Sequence, residues 1–483
     1  MNGLLKLRGR TGSTLAILLA LAAVASCGGG DGVVGSGGTG SPLGMTVGTV
    51  NGFGSVIVDG VAFDNRGATV VSEAAPGEDV PAEVKLGDRV AVEYETAGVA
   101  KVVRVEAALS GPVSAVIAAD QFTMLGQTVS VNASGAAGPI TQFGGGYGQA
   151  SDVRAGDSIE VHGMLVRQAA TYRIQATRVE RLAAAPAYLR VTGLVGELKA
   201  GAPTTFTLGA LTVEMSGAKL VPAGATLAND QSVTVLALPA SLTIPGPGLW
   251  RLQAAQVRVR ELASGGLGDS VSGSVSHLDT GTKTFSLGSL RVHYASAAVT
   301  PAGATLAEER YVLVQGTIAA DGSLTAASVT VRDTGSESEA ELRGNITNYD
   351  AASGRFSVRD VLVDASLAML EGLEGCPATG LANGLYVEIE GSLSSSGVVA
   401  SKLHCEGEPP DATIERNGVA SAVDTTALTF TLKPEEGAAV PVKWTSTTYF
   451  GLVTPTTLAG QKVEVEGSLV SGVLVATKVK LED

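Results

Sequence analysis

A chain of 483 residues is too long for one ordinary hydrophobic core. Its 45% hydrophobic content excludes wholesale disorder, and 63 glycines without an every-third-residue period exclude collagen, which leaves a loop-rich assembly of modules. A net charge of −14 offers no extended basic surface for phosphate backbones, so nucleic acid is not an expected partner.

Residues 1–26 open with Lys6, Arg8 and Arg10 and continue into the apolar run Leu15–Val24. A charged start before about ten apolar residues predicts a signal peptide, because a membrane-spanning helix needs about 20. Val24-Ala25-Ser26-Cys27 resembles the lipobox of bacterial lipoproteins. The resemblance implies cleavage before Cys27 and acylation of its sulfur, with outer-membrane lipid as the first partner. A plain signal with Cys27 incidental is the alternative. Gly28 in the second mature position points to the outer membrane, on either its periplasmic or its outer side. Cleavage removes three cations and no acid, taking the charge from −14 to −17. Residues 27–46 have the Gly/Ser composition of a flexible tether, and the GxGxxG string Gly35–Gly40 inside it has no strand before it or helix after it, so it carries no nucleotide-binding meaning.

The remainder is built of repeats. Thr205–Val213 is echoed by Thr284–Val292, and Pro222–Ala228 recurs letter for letter as Pro301–Ala307, both at an offset of 79. Val387–Leu393 returns as Val463–Leu469 at an offset of 76. A shared opening of Gly, one residue, then Val, Ile or Ala, followed by an aromatic strand, occurs six times, from Gly48 with Phe53 to Gly418 with Phe430. The expected modules are 47–107, 108–184, 188–262, 269–333, 339–407 and 412–483. Within them apolar and polar residues alternate with a period of two, as in Val387-Glu388-Ile389-Glu390, and turn pairs such as Asp321-Gly322 punctuate the runs. Only Leu367–Leu373 reads as a turn or two of helix. Five or six short strands per module leave edges to hide, and closure into a small barrel hides them. The predicted fold class is all-β, with about six tandem small antiparallel barrels strung after the tether.

The Gly-x-Val opening with Phe-Ser/Thr-Leu, the Gly-Asp-x-Val-x-Val strand of Gly87–Val92 and the closing Ala-x-x-Val strand resemble the tandem module known as domain of unknown function 5666. The resemblance spans nearly all of 47–483 and is clearest in modules two and four to six. Module one places Phe53 close to Gly48, and modules three and four carry Asn229-Asp230 and Glu309-Arg310 in place of Gly-Asp. The family implies an OB-like barrel and a place in the proteobacterial cell envelope, and implies no activity.

Chemistry is sparse. His162, His277, His293 and His404 form no metal or catalytic motif and read as ordinary strand or turn residues. Asp88, Asp157 and Asp230 precede strands, where a carboxylate accepts turn N–H groups more readily than it binds calcium. The pairs Glu388/Glu390 and Glu464/Glu466 fit a solvated strand face. Phe143–Gly148 reads as the flexible tip of a long loop. Cys376 and Cys405 are an isolated even pair in module five, which in an oxidising compartment reads as a disulfide. The expectation is a non-catalytic outer-membrane lipoprotein without a cofactor, structural or interacting in the envelope with a protein or glycan. The alternative is an envelope binding protein for an oligosaccharide, peptide or cation.

Overall fold

The computed structural model describes residues 44–483 apart from 97, 135–137, 170, 261–267, 320, 333–338, 372–379, 407–413, 434–438, 446–447, 452, 471–472 and 482–483. The signal segment, Cys27 and Cys376 lie outside the described residues.

Module 4 shows the plan most simply. Its first strand, Asp269–Asp279, pairs antiparallel with the second, Thr284–Leu287, which pairs antiparallel with the third, Leu290–His293. The third strand and the short Ala298–Thr300 both run parallel to the fifth, Leu324–Val331. The fourth, Tyr311–Ile318, pairs antiparallel with the fifth and closes on the first. This is the ring of an OB-like barrel, in which a parallel third–fifth contact completes an otherwise antiparallel sheet. Modules 2, 5 and 6 repeat the same pairings. Module 1 adds a hairpin, Thr69–Ala75 with Glu78–Pro81, and module 3 breaks its first strand into Leu189–Leu194 and Gly196–Lys199. The chain is all-β with tandem OB-like modules.

Alternation explains the barrels. In Thr284–Leu287 the aromatic and the leucine point inward, and Phe206, Phe285 and Phe356 are each 1% exposed. Burial of each is worth about 2–3 kcal/mol. In modules 5 and 6 the fourth strand bends at a bulge that falls at Gly391 and Gly467. A Cβ on Gly467 would stand 2.1 Å from the Val475 carbonyl oxygen, so a side chain is excluded by close approach of the neighbouring strand.

Several expectations change. The Met369–Glu371 part of Leu367–Leu373 is a strand running parallel to Gly397–Glu406, because the ladder to the fifth strand satisfies its backbone as one helical turn could not. In module 1 Phe53 lies on the first strand, and Phe63, on the third, joins the barrel core. Phe143–Gly148 is not a free tip: Tyr147 is buried and its hydroxyl donates to Asp157, and Phe143 packs on the core.

Modules 1 to 5 are also not beads on a string. The first strand of module 1, Gly44–Phe53, pairs parallel with that of module 4 at Thr46–Ser270 and Val47–Val271, and with that of module 5 at Gly52–Glu341 and Phe53–Leu342. The first strands of modules 2 and 3 pair antiparallel at Leu109–Val191 and Ser110–Arg190. The cores of modules 1 and 5 are continuous, as are those of modules 2 and 3. Small hydroxyl side chains permit the approach. Ser270, Ser272, Ser274 and Ser276, on the face of their strand turned away from their own barrel, are at most 5% exposed. Thr46 and Ser270 share a 2.7 Å hydrogen bond across the module boundary.

Candidate functional site

The outward faces of the barrels, where OB-like modules bind ligands, come first. Cross-strand neighbours there are Thr205 with Glu214, Thr284 with His293, and Arg355 with Asp364. Every aromatic whose side chain is described, all but Tyr449, is buried or half-buried. No aromatic side chain among the described residues is fully exposed as a stacking platform for bases or sugars. Of the acidic pairs, Glu388 meets Arg343 at 2.5 Å, Glu390 meets Lys402 at 3.1 Å and Glu464 meets Lys480 at 2.8 Å.

Charge is concentrated instead at the junction of modules 1, 2 and 3. His162 stands on the fourth strand of module 2, Ser158–Gln168, in phase with Glu160 and thus facing away from its own barrel. Module 1 covers it, leaving it 2% exposed. Its Nε2 lies 3.3 Å from a Glu160 oxygen and 3.5 Å from Asp88, which belongs to module 1. Asp88 also accepts the Lys85 N–H at 2.8 Å, the turn role its position suggests, and Asp157 does the same for Arg154 at 2.9 Å. Lys85 and Glu180 pair across the boundary at 2.6 Å, and Arg178 donates to the Leu86 carbonyl at 3.0 Å while gripping Glu180 at 2.9 Å. Gly87 has φ +85, and a Cβ there would meet the Thr177 carbonyl oxygen at 2.5 Å, so glycine lets this turn seat against module 2.

Glu73, on the added hairpin of module 1, reaches module 3, where it accepts from Gln256 at 2.7 Å and Arg258 at 2.6 Å. Burial works against its charge, but these donors outweigh burial and hold its carboxyl below the usual range. Burial pushes Asp88 up in spite of His162 and Arg178. Burial alone would lower His162, yet the Asp88 and Glu160 carboxylates reverse the sign and raise it. None of these partners shares a sequence motif: Asp88 and His162 come from different modules, and alternation alone places His162 in water. Of the other histidines, His277 and His404 are exposed and His293 is half-buried.

Between modules 1, 2 and 4 a second node centres on Tyr311, 2% exposed, whose ring packs on Met164 and Val166 of module 2. Its hydroxyl donates to Asp59 at 2.7 Å and meets Ser272 at 2.9 Å. Asp59 sits in the two-residue turn Asp59-Gly60, both at positive φ, and also accepts the Thr49 N–H at 2.8 Å. Arg89 joins Thr49 to Ser272 with bonds of 3.1 and 3.0 Å. Where modules 1 to 4 meet there is a cleft of about 1150 Å³, walled by residues such as Met45, Met164, Leu287, Arg89, Arg258 and Asp230.

Among the described residues no group of three or more His, Cys, Asp and Glu side chains is arranged to hold a metal ion. In the neutral ring Nδ1 faces the Arg89 N–H at 3.4 Å, so Nε2 carries the proton and has no lone pair for a cation between the carboxylates. Cys405 is buried in the core shared by modules 1 and 5.

These features define a protein of tandem OB-like barrels joined through their first strands and polar faces. The profile described as Domain of unknown function (DUF5666) matches residues 110–180, 272–330, 343–404 and 417–480, more than half of the chain, and the chain belongs to that family. The matched segments lie in modules 2, 4, 5 and 6, while modules 1 and 3 carry the extra hairpin and the broken strand. A comparison with curated proteins finds no match. Among solved structures the chain is similar to Drosophila Unr CSD456 at 14% identity and a TM-score of 0.12, covering 44% of this chain and 96% of that one, a superposition too poor to carry an argument.

Proposed function

We propose that the protein is a non-catalytic outer-membrane lipoprotein, held by acylated Cys27, whose packed modules have a structural or interaction role in the cell envelope. The observation that carries this reading is where the molecule places its functional groups. Aromatics fill barrel cores, and the buried charged and hydroxyl side chains at the junctions of modules 1 to 4, such as Glu73, Asp88, His162, Thr46 and Ser270, are engaged in contacts between modules. The apolar run before Val24-Ala25-Ser26-Cys27 supports the anchor. A disulfide between Cys376 and Cys405 within module 5 belongs to the same reading, since it suits an oxidising compartment.

Membrane fractionation of the native protein against Cys27→Ala tests the anchor, and protease shaving of intact cells tests the side. Retention of the native form and release of the variant is the expected result; two soluble forms would overturn it. A second reading, an envelope binding protein for an oligosaccharide, peptide or cation, is favoured by the cleft of about 1150 Å³. It expects a small molecule to stay with the purified chain in native mass spectrometry, which a purely structural role does not.

A further inference from the structure

We propose that the His162–Asp88–Glu160 cluster is a pH-set latch between modules 1 and 2, closed while the imidazole carries a second proton and loosened when that proton leaves.

The geometry is that of a joint, not of a single barrel. His162 and Glu160 come from the fourth strand of module 2, and Asp88 from the module 1 turn that ends at Arg89. The charges facing the imidazole are nearly all spoken for elsewhere. From the last strand of module 2, Glu180 is matched by Lys85 of module 1 and by Arg178, which reaches Asp88 only at 3.7 Å. From module 3, Arg190 is turned to Glu73. The Arg89 guanidinium is directed to Thr49 and Ser272, leaving only its backbone N–H toward the ring. Glu83 lines the same small cavity, of about 120 Å³, together with Ser72 and Ala82. Asp88 and Glu160 are thus two carboxylates beside one ring, with a share of Arg178 as their other cation.

A neutral imidazole gives them a single N–H. A protonated one keeps that N–H and adds a full positive charge within 3.3–3.5 Å of both oxygens, in a place where water screens little. What is lost is the Arg89 N–H to Nδ1 contact, a long one at 3.4 Å, where two N–H donors would then face each other until the backbone or ring shifts slightly. The attraction therefore exceeds the loss. Burial lowers the proton affinity of the ring, but the two carboxylates raise it further than burial lowers it.

The sign follows. A histidine raised above its ordinary 6.5 contributes stability that is complete below that value and disappears as pH rises through the raised one. Asp88, raised by burial, acts in the same sense. Glu160 and Glu180 resist burial through His162, Lys85 and Arg178 and are held low, so their contribution is lost as pH falls below about 4.5. The joint is tightest between about pH 4.5 and 6.5 and loosens as pH rises through the raised value of His162.

The test is a pH series from 5 to 9 on the full chain in detergent, reading the His162 ring by isotope-edited NMR and amide exchange, corrected for intrinsic rates, at residues 85–89 and 178–180. The expected midpoint for His162 is above 6.5, and protection at the joint falls about tenfold for each unit of pKa displacement as it is passed. His162→Gln, neutral at every pH, should show the loosened exchange already at pH 6 and no further change, while His277→Gln on the surface follows the native protein. A midpoint below 6.5, or joint protection independent of pH, overturns the proposal; the native titration decides alone should His162→Gln fail to fold.

Discussion

Replacing Tyr311 by Phe removes one oxygen from a point where three modules meet, and the consequence can be worked from the contacts. The ring still fills its place against Met164 and Val166, so no cavity forms. The Asp59 oxygen that accepted the hydroxyl at 2.7 Å is left without that donor, in a residue 8% exposed. A hydrogen bond to a buried charged group is worth about 1.5–3 kcal/mol, and the variant falls in the upper half of that range because the acceptor cannot turn to water. Two to three kcal/mol corresponds to roughly 30- to 150-fold in the opening equilibrium. Amide exchange reads this locally: Thr49, whose N–H is held by Asp59, should lose protection together with the Ser270–Ser276 strand of module 4, because the bond joins two modules. Asp59→Asn combined with Tyr311→Phe should cost less than the two separately. Loss confined to module 4, or below threefold at Thr49, would refute the assignment of Tyr311 as a tie between modules.

Gly467→Ala should destabilise module 6 by about 1–3 kcal/mol, since the new methyl meets a backbone oxygen that only a shift of the neighbouring strand can relieve; denaturation followed by the fluorescence of Trp444, buried in that module's own core, measures it. Cys376→Ser should lower the stability of module 5 by at most about 3.5 kcal/mol if the proposed disulfide closes its loop of about 30 residues, with chemical reduction of the native chain giving the same loss and leaving the variant unchanged.

The barrels were legible because their signal is local. A period of two, a Phe at the second strand and glycine at each turn specify what points into a barrel. What points out of one was not legible. Alternation marks Ser272, His162 and Glu73 as outward, and outward is ordinarily wet, but in modules 1 to 4 much of that face meets another barrel. Asp88 meets His162, and Asp59 meets Tyr311, across module boundaries for which no single-sequence pattern exists. The one local trace is composition. At the residue before the opening glycine, modules 2, 3 and 4 have Ser110, Thr192 and Ser272, all buried, whereas module 1 has Val47 and modules 5 and 6 have Arg343 and Asn417.

Modules 1 and 5 dock their first strands without a hydroxyl at this position, but in module 4 the Ser272 hydroxyl ties the strand to Asp59 and Arg89 of module 1, and that tie can be tested by exchanging the residue. Ser272→Arg gives module 4 the side chain found in module 5. The new cation would stand beside Arg89, which now donates to Ser272 at 3.0 Å, and would displace the hydroxyl that bonds Asp59 and Tyr311. A like charge next to the half-buried Arg89 guanidinium, added to the loss of the bonds to Asp59 and Tyr311, costs more than the Tyr311 bond alone. The barrel of module 4 should survive, because its core is lined from the opposite face of the strand by Val271 and Val275 and is built from its own residues, with Val47 of module 1 packed against it. The expected result is a larger radius of gyration in small-angle scattering and lost protection at Thr46–Thr49, with module 4 amides beyond Thr284 still protected. Ser272→Ala, which keeps the size and removes the bonds, should give a smaller effect in the same places. If Ser272→Arg left the radius unchanged, the hydroxyl face would be incidental to docking, and the parallel pairing of Thr46–Val47 with Ser270–Val271 would have to hold the two modules by itself.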